Sequence, residues 1–238
     1  MQEFVMGFMS RYRNHLLLMV LGIAIFANTM DAERLYSWDD NRYLEENEMV
    51  RKFQIGKILT EPYFGGYMPI TLLSFALEHK FWGLQPNGYH IVNVILHALN
   101  GLLVFLLLER ITNRRLVAMI GSVLFIVHPV QVESVAWISE RKNLLSMLFF
   151  LTAFLLHIKH RRKNRRLWQV FSWLCYLFAV LAKPIVVGAP LLFLVYDRYF
   201  EKVKWRQCLT TALPYAAIAL FGSITILATS AKVGGIKS

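Results

Sequence analysis

Apolar residues fall along this chain in seven blocks separated by polar segments. HLLLMVLGIAIFANTM (15–30), HIVNVILHALNGLLVFLLL (90–108), LLSMLFFLTAFLLHI (144–158) and RLWQVFSWLCYLFAVLA (166–182) carry at most one charge each. PIVVGAPLLFLVY (184–196) and CLTTALPYAAIALFGSITILAT (208–229) follow the same rule, and LVAMIGSVLFIVHPV (116–130) is a shorter seventh. A helix needs about 20 residues to cross about 30 Å of hydrocarbon, so the shorter blocks are marginal spans unless flanking residues snorkel or the helix lies inside the bundle. Residues are 56% hydrophobic and only 17% charged, against about a quarter charged in soluble domains. The pattern predicts an all-α polytopic membrane protein of about seven transmembrane helices, one membrane domain over 1–238.

Residues 31–88 are the one long polar stretch, and they read as an outside loop of juxtamembrane helices rather than a separate domain. EENEMVRKFQIGKIL puts Met49, Phe53 and Ile58 near one face, as in a helix lying in the interface plane. Pro62, Gly65 and Gly66 break the chain. After Pro69, ITLLSFALEHKFWGL reads as a second short amphipathic helix, ended by Gly83 and the turn QPNG.

A net charge of +11 would suggest nucleic acid in a soluble protein, but here it reads as topology and no nucleic-acid partner is expected. With a cytoplasmic N-terminus and seven spans, 15 of the 26 Lys and Arg residues fall on the cytoplasmic side, six of them in KHRRKNRR (159–166). The other side holds 11, six of them spread through 31–88 among nine acids. Short loops near the membrane set orientation, so 31–88 is expected outside. The block at 159–166 is also suited to anionic membrane lipids. Arg11 and Arg13 before the first block would suit a signal peptide, but no clean A-x-A site follows, and a retained anchor is the better reading. Cys175 and Cys208 offer neither a disulfide framework nor a metal spacing.

Candidate chemistry lies in and beside the spans. The pair Asp39–Asp40 follows Trp38 just outside the first block. It reads either as a helix cap, which the spacing alone favours, or as a general base and its like-charged neighbour. In HPVQVESVAWISERKN (128–143), Glu133, Glu140, Arg141 and Lys142 follow the third block. A carboxylate there could hold a divalent metal (Mg or Mn), and the Arg–Lys pair a phosphate; an ordinary snorkelling loop is the alternative. Lys183, between two blocks and before Pro184, is equally a snorkelling lysine or a phosphate ligand. His90, Asn93, His97 and Asn100 share one helical face. That stripe serves interhelical hydrogen bonds or lines a polar cavity, to which Tyr67 and His128 would also contribute.

The order WDD…YMPITLLSF…GYHIVNVILHALN…FIVHPVQVESVAWISERKNLLSMLFFL…LAKPIVVGAPLLFLVYD resembles the N-terminal membrane half of the O-mannosyltransferases that carry transmembrane segments and tetratricopeptide repeats, and of their bacterial relatives. HPVQVESVAW-x3-RKNLLS is its most specific part. The resemblance implies a GT-C glycosyltransferase module, in which a polyprenyl-phosphate-linked sugar is the donor and a hydroxyl on protein Ser/Thr or on glycan the acceptor. It implies Asp39 as general base with Asp40 beside it, Glu133 as the donor-site or metal carboxylate, and Arg141, Lys142 and Lys183 as ligands of the donor phosphate. It further implies an active face outside the cytoplasm, in the bacterial inner membrane or the endoplasmic reticulum membrane. Two departures stand out. Tyr67-Met68-Pro69-Ile70 replaces the family's Y-R-P-L, so one expected cation is missing. The chain also ends at TSAKVGGIKS, where relatives continue into further spans and repeats. The module is therefore expected to need a C-terminal half, in one longer enzyme or from a partner protein, or else to be a non-catalytic subunit that binds a lipid carrier.

Overall fold

A computed structural model describes residues 2–30 and 39–234, with side chains from 12–30 and 39–229. Within them the chain is helical, with α1 (Gln2–Ile25), α2 (Asp40–Leu44), α3 (Glu48–Arg51), α4 (Ile55–Thr60) and α5 (Pro69–Trp82) first. The apolar helices α6 (Pro86–Thr112), α7 (Arg115–Val127), α9 (Arg141–Lys163), α10 (Arg166–Ala182) and α12 (Trp205–Gly234) follow, with the short α8 (Gln131–Ala136) and α11 (Ala189–Val195) between them. No strand is present among the described residues, as the sequence predicts.

Among the described residues three helices are long and apolar enough to cross a membrane: Pro86–Thr112, Arg141–Lys163 and Trp205–Thr229. Tyr12–Ile25, Arg115–Val127 and Arg166–Ala182 are apolar but shorter. Three such helices, rather than seven, correct the sequence expectation. The block at 184–196 departs furthest. Pro184 forces Lys183 into an extended conformation, and the chain then runs as a 3-10 turn (Pro184–Gly188), α11 and a π turn (Tyr196–Phe200). Apolar Leu213, Leu220 and Leu227 of α12 stay exposed on the protein, as suits an integral membrane protein whose outer faces meet hydrocarbon.

Helix α6 is the central post, packing on α1, α7 and α9, while α9 packs along α10 and α12 closes against α10 and α11. At the α1–α6 crossing a Cβ on Gly22 would lie 2.9 Å from Ala98 Cα, so the close approach requires the missing side chain. The α6 stripe supplies the polar stitches. Asn93 donates to the Trp137 carbonyl (3.0 Å) and Asn100 to the Leu144 carbonyl (3.0 Å), and His97 Nε2 meets the Ile126 carbonyl at 3.1 Å. All four stripe residues are fully buried. Asn93, His97 and Asn100 realise the interhelical alternative, whereas the buried His90 ring makes no hydrogen bond among the described residues, and Asn100 also reaches a cavity.

Helices α2–α5 cap one end of this bundle. The sequence expectation of a single helix through Met49, Phe53 and Ile58 is corrected: α3 and α4 are separated at Phe53, which takes φ +49°. Asn47 caps α3 by accepting from Met49 N and Val50 N. The apolar face itself survives the break, since Met49 and Ile58 are buried and Phe53 packs on their cluster. Helix α5 starts at Pro69 and ends at Gly83 (φ +56°) as expected, but QPNG is not a free turn, because Pro86 is already the first residue of α6.

Candidate active site

At the capped end a cleft of about 440 Å³ opens between five parts of the chain. Asp39 and Tyr43 come from the start of α2, residues 64–68 from a tight turn, Glu140 and Lys142 from the start of α9, and Lys183 from the end of α10. Thr225, Ile226 and Thr229 of α12 form the remaining wall. The turn is a two-residue hairpin closed by Tyr63 and Gly66. Its central residues Phe64 (φ +46°) and Gly65 (φ +74°) both have positive φ, as a type I′ turn requires. Phe64 is a costly occupant of that position, and it is held under the Arg42 guanidinium, 4.4 Å from its ring centre.

Successive residues at the start of a helix point about 100° apart, and Glu140-Arg141-Lys142-Asn143 uses this to send side chains in different directions. Arg141 turns inward and is fully buried. It pairs with Glu78, donates to Asn93 Oδ1 (2.7 Å) and the Tyr89 carbonyl (2.7 Å), and lies over the Phe75 ring. These contacts satisfy a charge that burial would otherwise make very costly. Arg141 is thus a clamp joining α5, α6 and α9, and the phosphate-ligand expectation does not match its position.

Lys142 turns the other way. Its Nζ lies 2.8 Å from Glu140 Oε1 and 4.0 Å from Asp39 Oδ2, over the Tyr43 ring. Lys183 reaches the same glutamate from α10, with Nζ 3.3 Å from Glu140 Oε2 and 2.6 Å from Asn143 Oδ1. Asn143 Nδ2 donates to Glu140 Oε2 (2.5 Å) and Ser134 Oγ (3.2 Å). Burial pushes the Glu140 carboxyl up, but Lys142 and Lys183 outweigh it and hold the group below the ordinary glutamate range. Burial, with Asp39 and Glu140 nearby, pushes the Tyr43 phenol up and keeps it neutral.

The two aspartates divide the readings offered for them. Asp39 stands at the N-cap position of α2, yet its side chain makes no capping hydrogen bond. Its carboxylate is 34% exposed and faces the cleft. Asp40 is buried and accepts from Ser139 N at 2.7 Å, tying α2 to the turn that carries Glu140. Glu133 is exposed on α8 and does not line the cleft, whereas Glu140 does. His128 is exposed and accepts from Val130 N. Tyr67 lines the cleft and donates to the Leu59 carbonyl at 2.6 Å. Asn100 lines a neighbouring cavity of about 270 Å³, along with Ser134 and Asn143.

The carboxylates of the cleft do not make a cage for a divalent ion. Among the described residues no group of three or more His, Cys, Asp and Glu side chains stands at metal-binding distance. The cation between Asp39 and Glu140 is the Lys142 ammonium itself.

What the fold and site define is an all-α integral membrane protein with a cleft at one end of the apolar bundle, lined by Asp39, Glu140, Lys142 and Lys183. The chain belongs to the family described as a domain of unknown function, DUF6311, whose profile matches residues 68–237. It is 32% identical over 224 residues to a human protein named Protein O-mannosyl-transferase TMTC2, and 31% over 224 residues to the protein of that name in Mus musculus. Both alignments cover 87% of this chain. It is also 32% identical over 166 residues to Protein O-mannosyl-transferase F38B6.6 of Caenorhabditis elegans, covering 64% of this chain and 24% of that protein. The chain spans 27% of the length of the TMTC2 relatives. The likeness read from HPVQVESVAW-x3-RKNLLS to these O-mannosyltransferases is borne out. No solved structure matches.

Proposed function

We propose that the cleft transfers mannose from a polyprenyl-phosphate carrier to a hydroxyl acceptor, with Asp39 as general base. The observation that carries the reading is the unequal state of the two carboxylates. Both oxygens of Glu140 are engaged by Lys142, Lys183 and Asn143, so it is a fixed counter-ion. Among the described residues Asp39 has only the long Lys142 contact, and it faces the cleft, so its carboxylate is placed to accept a proton. The acceptor oxygen would bond to the sugar C1 as its proton passes to Asp39, and the C1–O bond to phosphate would break with its electron pair leaving on the carrier. An ammonium has three N–H donors. Lys183 uses two and Lys142 uses one on Glu140, which leaves donors for the phosphate oxygens where charge develops.

This assignment drops Arg141 and Glu133 from the donor site and adds Glu140. No step needs a metal, because the lysines supply the positive charge. The proposed acceptor is protein Ser/Thr, and the proposed setting is the non-cytoplasmic face of the bacterial inner membrane or of the endoplasmic reticulum membrane. One observation favours a rival. Met68 lines the cleft where the resembling motif has arginine, and the Asp39, Glu140, Lys142 and Lys183 charges cancel. A neutral cleft suits a subunit that binds a lipid carrier without turning it over.

The test is transfer of mannose from a polyprenyl-phosphate donor to an acceptor peptide, using full-length protein together with any partner that supplies a C-terminal half. Asp39→Asn should cut the rate by ~10²–10⁴-fold, the usual worth of a general base, with unchanged melting temperature. Wild-type turnover by Asp39→Asn would favour the binding subunit.

A further inference from the structure

Among the described residues Asn143 is the one side chain that hydrogen-bonds both partners of the Lys183–Glu140 pair. It is half-buried on the first turn of α9, with Oδ1 2.6 Å from Lys183 Nζ and Nδ2 2.5 Å from Glu140 Oε2. The same Oε2 lies 3.3 Å from Lys183 Nζ, closing a ring of three groups. Ser134 Oγ takes the second Nδ2 proton at 3.2 Å and fixes which way the amide faces. The Lys183 backbone is pinned independently, since Ser146 donates to its carbonyl (3.1 Å) and Thr71 to that of Ala182 (2.9 Å).

We propose that Asn143 is a positioning residue that aims the Lys183 ammonium at the ligand in the cleft. The ammonium is tetrahedral, so when Asn143 and Glu140 each hold one N–H, the direction of the third is fixed. Without the amide, Lys183 is left with Glu140 alone, and its long stem is free to swing with its charge fully spent on that carboxylate. The amide thereby keeps an acid–lysine pair from collapsing into a closed salt bridge. The inference rests on the reading of the cleft as a phosphate site, and its test separates the two.

The experiment is equilibrium binding of a fluorophore-labelled polyprenyl monophosphate to full-length protein in lipid nanodiscs. Lys183→Ala should weaken binding about tenfold, the loss expected for one charge-assisted hydrogen bond. Asn143→Ala should weaken it by a similar factor, and the double variant no further, because both remove the same directed donor. Asn143→Asp, nearly isosteric, should weaken it at least as much, since it adds a negative charge to the cleft. Wild-type affinity in Asn143→Ala beside a weakened Lys183→Ala would overturn the role of Asn143 and leave the phosphate site standing. Equal, independent losses that add in the double variant would mean Asn143 acts through folding. An unaffected Lys183→Ala would remove the phosphate site and the inference with it.

Discussion

The two ends of α9 hold two charged clusters, one built on His157, Arg161 and Asp197 and the other on Glu140, Lys142 and Lys183. The helix is 23 residues long, or about 35 Å. At its far end His157 joins Asp197 (2.8 Å) and the Tyr215 hydroxyl (3.2 Å), while Arg161 pairs with Asp197 through both carboxylate oxygens. Ser172 shares a hydrogen bond with the same Tyr215 hydroxyl (2.6 Å), and Phe193 stacks on the Tyr215 ring at 4.0 Å. His157, Ser172, Asp197 and Tyr215 are buried and hydrogen-bonded, which is the condition under which a polar cluster serves as scaffold. The cleft end differs in one respect: Asp39 and Lys183 are a third and a quarter exposed and keep unused capacity. The difference between the two ends is exposure and open space beside the charge, not charge itself.

The comparison breaks first if the clusters prove interchangeable. Asp197→Asn should cost up to about 3 kcal/mol of stability, because it takes the carboxylate from the partly buried Arg161, while leaving polyprenyl-phosphate affinity unchanged. Arg141→Ala should behave like it, stranding Glu78, despite sitting next to Lys142 in sequence. Thermal melts paired with carrier binding check both, and a selective loss of binding in Arg141→Ala would return that residue to the donor site.

A smaller effect follows from Glu140. Its folded-state carboxyl lies below the ordinary range, so its pairing stabilises the protein fully above the unfolded value of about 4.3. That contribution is lost as pH falls through the lower, folded value. The melting temperature of Glu140→Gln should therefore lie below wild type at pH 7 and converge with it below about pH 4. Parallel curves across that window would show that the lysine pairing contributes nothing. The smallest expected effect is a gain: Met68→Arg adds a cation to a neutral cleft and should tighten carrier-phosphate binding by up to about tenfold, read in the same nanodisc assay.

Much of this was legible in the sequence, and the failures have physical causes. Asp39, Lys142 and Lys183 could be picked because charges at the ends of apolar blocks are costly unless paired, and the structure brings those three together. The 3–4–3 spacing of His90, Asn93, His97 and Asn100 correctly gave one helix face. What that face met, the carbonyls of Ile126, Trp137 and Leu144, depends on neighbouring helices that spacing does not encode. Glu133 was favoured over Glu140 because both follow the third block. The intervening α8 turns Glu133 outward, and Glu140 gains its place as the N-cap residue of α9. Arg141 and Lys142 were treated alike because they are adjacent, yet adjacency on a helix separates side chains by about 100°. The block at 184–196 counted as a span by composition, while Pro184, Gly188 and Pro190 interrupt its helix.

The most direct measurement is an experimental structure of the full-length protein with bound polyprenyl monophosphate. The phosphate is predicted between Lys142 Nζ and Lys183 Nζ, with one oxygen within about 3 Å of each and the Asp39 carboxylate facing it across open space. Phosphate density instead at the opposite end of α9, among Arg161, Arg162 and Arg165, would contradict the account.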